Sequence, residues 1–231
     1  MKTNLILTHG AIGSSSQFIE LKNALSDIYN IFIFDFEGHG NEAFQHRPFK
    51  IENFSDNLES VIVKNRLQPA DIFGYSMGGY VALYLASTRP ELINRIYTLA
   101  TKFEWTAESA KRETEMLSAE KIEMKLPHFA ALLERRHIHG WKENLLRTKQ
   151  MIVSLGENPV LNKENMKNII SECRISVGDS DKMVSKEESK MFASFIQKSE
   201  VKILQNTEHP IEKTDLSLLV SEIKDFLHFR Q

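Results

Sequence analysis

The chain predicts an α/β fold: a mainly parallel six-stranded sheet with helices on both faces and a helical segment inserted after the fourth strand. Three observations carry this. Short apolar runs alternate with amphipathic segments of helical length, the order that builds a parallel sheet covered on both sides. The runs are continuously apolar rather than alternating, as strands buried on both faces require. From about Thr101 to Ser171 no strand-like run occurs, so the chain makes one long helical excursion before returning to the sheet.

In order, the first strand is Asn4–Thr8, ending at His9-Gly10-Ala11-Ile12-Gly13, and a helix at 14–27 follows. The second strand, Asn30–Phe36, runs into a glycine-containing loop before a helix at 51–67. The third, Asp71–Tyr75, leads into a helix at 77–88 and the fourth strand, Arg95–Ala100. Pro69 and Pro90 stand just past helix ends, where a missing N–H does little harm. The excursion reads as helices at 107–126, 128–139, 141–155 and 162–171, punctuated by Pro127, Gly140, Gly156 and Pro159. Arg174–Val177 is the fifth strand, and Ser185 with Glu188 forms a capping box opening a helix at 185–198. Val201–Leu204 and a helix at 215–229 complete the series. One domain is expected, with a core of 1–100 and 172–231 and a cap of 101–171. Such an insertion sits at the carboxyl edge of a parallel sheet, where these folds bind ligands, so it reads as a lid.

Composition bounds the chemistry. With 231 residues and 42% hydrophobic ones, the chain can bury a sizeable core. Twenty-nine basic against 31 acidic residues, a formal charge of −2, leave no electrostatic footprint for nucleic acid. A lone Cys173 excludes an internal disulfide framework and a multi-cysteine metal site. No apolar run approaches the ~18 residues of a membrane span, and the first residues lack a signal-peptide core. The expectation is a soluble cytoplasmic protein acting on a small molecule, without metal or organic cofactor and without a nucleic-acid or membrane partner. No oligomeric state follows.

The chemistry centres on Gly74-Tyr75-Ser76-Met77-Gly78-Gly79, between a strand and a helix. A strand–turn–helix Gly-x-Ser-x-Gly makes a sharp turn that lifts the serine hydroxyl clear of the sheet and sets a helix N-terminus beneath it. Ser76 is the candidate nucleophile. The loop His9-Gly10-Ala11 can aim the Ala11 N–H at a tetrahedral oxyanion, with the Met77 N–H as second donor. His9 itself reads as a structural residue of that loop. A serine hydroxyl needs an imidazole to take its proton and an acid to orient that imidazole. His209 is the histidine just past a late strand, and Asp179 or Asp181 supplies the acid. His39, His46, His128, His137, His139 and His228 read as surface or packing residues. Tyr75 and Trp105 are candidate substrate contacts, with Phe103, Phe129, Met151 and Leu155 as further cap residues that read first as packing. Arg135, Arg136, Lys142 and Arg147 read first as a solvated face carrying i,i+4 pairs.

Ser76 in its elbow, the early His-Gly and the late Asp and His together resemble the α/β-hydrolase superfamily, over nearly the whole chain. Asp35-Phe36-Glu37-Gly38-His39-Gly40 is similar to that family's Asp-x-x-Gly-His-Gly marker. Its acid usually stands fourth in a Gly-x-x-Asp-x-x-Val pattern, and the resemblance through Gly178, Asp181 and Val184 implies Asp181. The family often has glycine before the catalytic histidine, whereas here Glu208 stands there. The two edge strands of larger members are not apparent. A menaquinone-pathway lyase of this superfamily follows the same elbow with arginine, where this chain has Tyr80. The resemblance implies a serine hydrolase cleaving a small carboxylic ester or related acyl compound through an acyl-enzyme. A lyase, C–C-bond hydrolase, perhydrolase or acyltransferase would share the triad. A ligand-binding protein would show a damaged one, which this sequence does not. The aspartate nucleophile of dehalogenases and epoxide hydrolases is replaced by Ser76.

Overall fold

The computed structural model describes residues 2–227. Six strands, β1 (Thr3–Thr8), β2 (Tyr29–Ile33), β3 (Ala70–Tyr75), β4 (Ile93–Leu99), β5 (Glu172–Gly178) and β6 (Ser199–Leu204), form one sheet in the order β2-β1-β3-β4-β5-β6. Every pairing is parallel. The helices are α1 (Ile19–Leu25), α2 (Ile51–Lys64), α3 (Met77–Thr88), α4 (Ala107–Glu115), α5 (Ala119–Lys125), α6 (Pro127–Arg136), α7 (Trp141–Glu157), α8 (Lys163–Met166), α9 (Lys186–Ala193) and α10 (Leu216–Leu227).

Successive strand residues face opposite sides, so two cores form. Ile6, Ile72, Ile96 and Ile175 point toward α2, α3 and α9, packing with Phe54, Leu58, Val81, Leu85 and Ile196. Leu5, Leu7, Phe73 and Tyr97 point toward α1 and α10, packing with Leu25, Leu219 and Ile223. Helices α4–α8 all lie between β4 and β5. Their own cluster, Ile122, Leu133, Trp141 and Leu145, includes Ile12 from the loop after β1. Strand β1 lies between β2 and β3, so chain order reverses there and the carboxyl ends of β1 and β3 flank the crevice such sheets use for ligands. No described helix is long and apolar enough to cross a membrane.

Local departures from the sequence reading have physical causes. The single helix expected over 107–126 breaks, because the Ser118 hydroxyl accepts the Lys121 N–H and starts α5 afresh. The segment at 14–27 opens as a 3₁₀ turn over Ser15–Phe18 before α1. The second strand stops at Ile33, and the Phe36 N–H turns to His9 Nε2 at 3.2 Å instead of to a strand. The helix expected at 162–171 shrinks to Lys163–Met166, capped by the Asn162 side chain. Only half of the Ser185 capping box forms: Ser185 accepts the Glu188 N–H, but the Glu188 carboxylate turns away to the N–H groups of Phe103 and Glu104, at 2.5 and 2.6 Å. Residues 228–229 of the last expected helix, His228 among them, lie outside the described residues.

Candidate active site

The site is built from the elbow outward. Ser76 sits between β3 and α3 at φ 51°, ψ −117°, a conformation that costs a non-glycine residue about 1–3 kcal/mol. Its surroundings hold it there. The Ser76 N–H donates to the Leu99 carbonyl at 2.8 Å. Its carbonyl accepts the N–H groups of Gly79 and Tyr80 and the Thr101 hydroxyl, the last at 3.0 Å. Gly78 allows the close approach: a Cβ there would run into the Thr8 and His9 carbonyls. Met77 is the first residue of α3, so its N–H belongs to the turn that has no intrahelical acceptor.

The loop after β1 lies directly against this turn, since a Cβ on Gly10 would meet the Tyr75 ring and Ser76 Cβ. The Gly13 N–H closes a tight turn on the Gly10 carbonyl at 3.1 Å, with Ala11 and Ile12 at its centre. Ile12 there has φ 51°, a rare state for a β-branched residue. His9, fully buried, donates Nδ1–H to the Gly10 carbonyl at 2.8 Å and accepts from Phe36, so it braces the loop.

On the far side of β3, two loops meet. His209 Nδ1 lies 2.8 Å from Asp181 Oδ2, and the Asp181 side chain has no solvent exposure. Asp181 Oδ1 accepts the N–H groups of Met183 and Val184, at 2.7 and 2.9 Å. Burial raises the Asp181 carboxyl, but the hydrogen bond and charge of His209 with the two N–H groups outweigh it, and the net shift is downward. The Asp179 carboxylate instead accepts from the Thr207 N–H and the Ser180 hydroxyl, holding the loop that carries His209. Glu208, at the family's glycine position, points outward to Lys213 at 2.7 Å.

The two expected substrate contacts fare differently. Tyr75 is buried in the α1 and α10 core and donates its hydroxyl to the His209 carbonyl at 3.1 Å, which makes it a brace for that loop rather than a pocket wall. Trp105 is half-buried, with Lys102 Nζ 5.7 Å from its ring and its Nε1 without a hydrogen-bond partner. Phe103, Met151 and Leu155 are buried in the main core, and Phe129 packs in the insertion's own cluster. Of the cationic face, Arg147 pairs with Glu143 and Lys142 with Glu123. Arg136 departs from that face, reaching Glu212 and the Ile12 carbonyl at 3.0 and 3.3 Å. Sequence reasoning missed Thr101 and the contacts of Arg136 and His137, none of which belongs to a local motif, and it read Glu188 only as half of a capping box. Among the described residues no group of three or more His, Cys, Asp and Glu side chains could hold a metal ion.

The sequence model describing the alpha/beta hydrolase fold matches residues 3–118. A pimeloyl-[acyl-carrier protein] methyl ester esterase of Neisseria meningitidis (strain H44/76) is 34% identical over 102 residues, covering 44% of this chain and 38% of that one. The chain thus aligns with well under half the length of that relative. Among solved structures, MGS-M2, an alpha/beta hydrolase enzyme from a deep-sea metagenome library of the Medee basin, superposes with a TM-score of 0.82 at 12% identity, covering all of this chain and 90% of that one. MenH from S. aureus superposes with a TM-score of 0.78 at 21% identity, over 97% and 93% of the two chains.

Proposed function

The chain belongs to the alpha/beta hydrolase fold family, and from that premise we propose that it is a serine esterase that cleaves a small carboxylic ester or related acyl compound through an acyl-enzyme. The observation that carries the reading is the Asp181–His209 pair, its carboxylate buried and its imidazole partly exposed, on loops braced against a strained Ser76 elbow. In this scheme Ser76 Oγ attacks the carbonyl while His209 Nε2 takes its proton. Asp181 fixes the tautomer by accepting Nδ1–H and stabilises the imidazolium that forms. The N–H groups of Ala11 and Met77 bind the oxyanion, and His209 then activates the water that releases the acid. Helices α4–α8 act as a lid over a core of 1–100 and 172–231, with Trp105 on the substrate side. The buried, unpaired Cys173 is compatible with a cytoplasmic setting.

Lyase, C–C-cleaving, perhydrolase and transferase chemistries would use the same triad. Tyr80, which follows the elbow, is buried with its hydroxyl accepting the Leu161 N–H, so it offers a carboxylate substrate no cation. That favours the uncharged ester. The test is labelling by a fluorophosphonate, located by mass spectrometry, with hydrolysis of p-nitrophenyl esters of graded acyl length. Labelling at Ser76 and a loss on the order of 10⁴-fold or more in kcat for Ser76→Ala are expected. Equal turnover by wild type and Ser76→Ala would overturn the reading.

A further inference from the structure

The turn at 10–13 is held from outside the sheet. Ile12 is β-branched yet adopts φ 51°, and such a residue persists only where its surroundings over-determine it. Two things do so, both from the insertion. The Ile12 side chain packs on the cluster of Ile122, Leu133, Trp141 and Leu145. Its carbonyl faces two donors, His137 Nε2 at 2.9 Å and the Arg136 guanidinium at 3.3 Å.

His137 has a fixed proton position. The Gly40 N–H can only donate, and it points at His137 Nδ1 at 3.0 Å, so Nδ1 carries the lone pair. The proton is therefore on Nε2, directed at the Ile12 carbonyl, which can only accept. The imidazole is buried and spans two loops of the core, 10–13 and 37–40. Arg136 is tied in turn to Glu212, three residues after His209, and Glu212 to Gln17 at 2.8 Å.

We propose that His137 is a positioning residue of the oxyanion loop: through Nε2–H, helped by Arg136, it pins the Ile12 carbonyl and so keeps the Ala11 N–H aimed beside Ser76. This rests on the serine-esterase reading for its catalytic meaning. Without the pin, Ile12 relaxes toward negative φ, the turn rotates, and Ala11 drifts from the place where the oxyanion forms. A donor that is present but poorly aimed costs less than the 10²–10³-fold of a deleted one.

Two substitutions separate this from a packing role. His137→Asn keeps an acceptor where Nδ1 stands but has no donor that reaches Ile12, while His137→Gln extends a donor toward Ile12. For p-nitrophenyl ester hydrolysis, His137→Asn should lower kcat by about tenfold to a hundredfold with KM within about twofold, and His137→Gln should recover most of the loss. Amide hydrogen exchange of residues 11–13 should quicken at least about tenfold in His137→Asn and stay near wild type in His137→Gln. Should His137→Asn not fold, Arg136→Met removes the second donor to the same carbonyl and should quicken the same amides. Unchanged exchange at 11–13 in a folded variant, or equal kcat for Asn and Gln, would overturn the proposal. The exchange readout needs no turnover, so an enzyme whose Ser76 does not label would strike the esterase reading while this measurement still decides the pin.

Discussion

Ser76, Asp181 and His209 reach their places by different physics. Ser76 is forced out of the ordinary backbone regions by the close approach at Gly78. Asp181 and His209 are held by hydrogen bonds between two loops that follow β5 and β6. The two nearby carboxylates therefore predict different outcomes. Asp181→Asn should reduce kcat on the order of 10³–10⁴-fold, because the amide no longer enforces the Nδ1–H tautomer or stabilises the imidazolium. Asp179→Asn keeps an acceptor for the Thr207 N–H and should change kcat by less than about threefold. Steady-state kinetics on both variants checks this, and a larger loss at Asp179 would reverse the roles. The elbow at Ser76, the loop at His9–Gly13 and the position of His209 were legible because each stands within a few residues of a strand end that the sequence marks. Tyr75 was misread because a side chain beside a nucleophile can face either side of the sheet, and a strand residue's face depends on a register that the motif does not encode.

At the level of elements, the strands were readable because burial on both faces makes them apolar throughout, and all six appear within a few residues of the expected runs. Helix ends were less so. The break at Ser118 and the short α8 depend on side-chain caps that compete with continued helix. The Glu188 carboxylate shows why a capping motif can mislead: its partners, Phe103 and Glu104, lie 85 and 84 residues away in sequence. It fastens the start of the insertion to α9. Glu188→Ala should leave two N–H groups unpaired and cost about 2–3 kcal/mol, a fall in Tm of roughly 4–12 °C for a chain of this size. Ser185→Ala removes one cap and should cost about 1 kcal/mol. Thermal melts of the pair test the ranking, and a Glu188 variant no less stable than the Ser185 variant would refute it.

Across the whole molecule, three buried histidines join the sheet, the loop after β2 and the insertion: His9 and His39 rings stand 5.1 Å apart, His39 and His137 5.8 Å. Burial is the leading cause that lowers all three, His9 to about 4; the charge of Arg136 adds to it at His9 and His137, while Asp35 opposes it there. An unfolded histidine titrates near 6.5. As pH falls from 6.5 toward 4, the unfolded chain binds protons that folded His9 refuses, so stability declines across that window, by about 3 kcal/mol for His9 alone. Asp181, whose carboxyl is lowered, contributes stability that is lost only below the ordinary carboxylate range. Chemical denaturation at pH 7.5, 6.5, 5.5 and 4.5 should show this decline, and a flat profile between 7 and 5 would contradict it. The pinned Ile12 carbonyl bears on a further matter, the way such a chain can diverge. The segment proposed as the lid also grips the loop that lies against the Ser76 turn. On the proposed reading, recognition and turnover are then not separately heritable: a substitution in 101–171 that moves His137 or Arg136 would reach the loop at 10–13 as well. Exchanging the insertion for another would succeed only where the newcomer brings its own donor to that one oxygen.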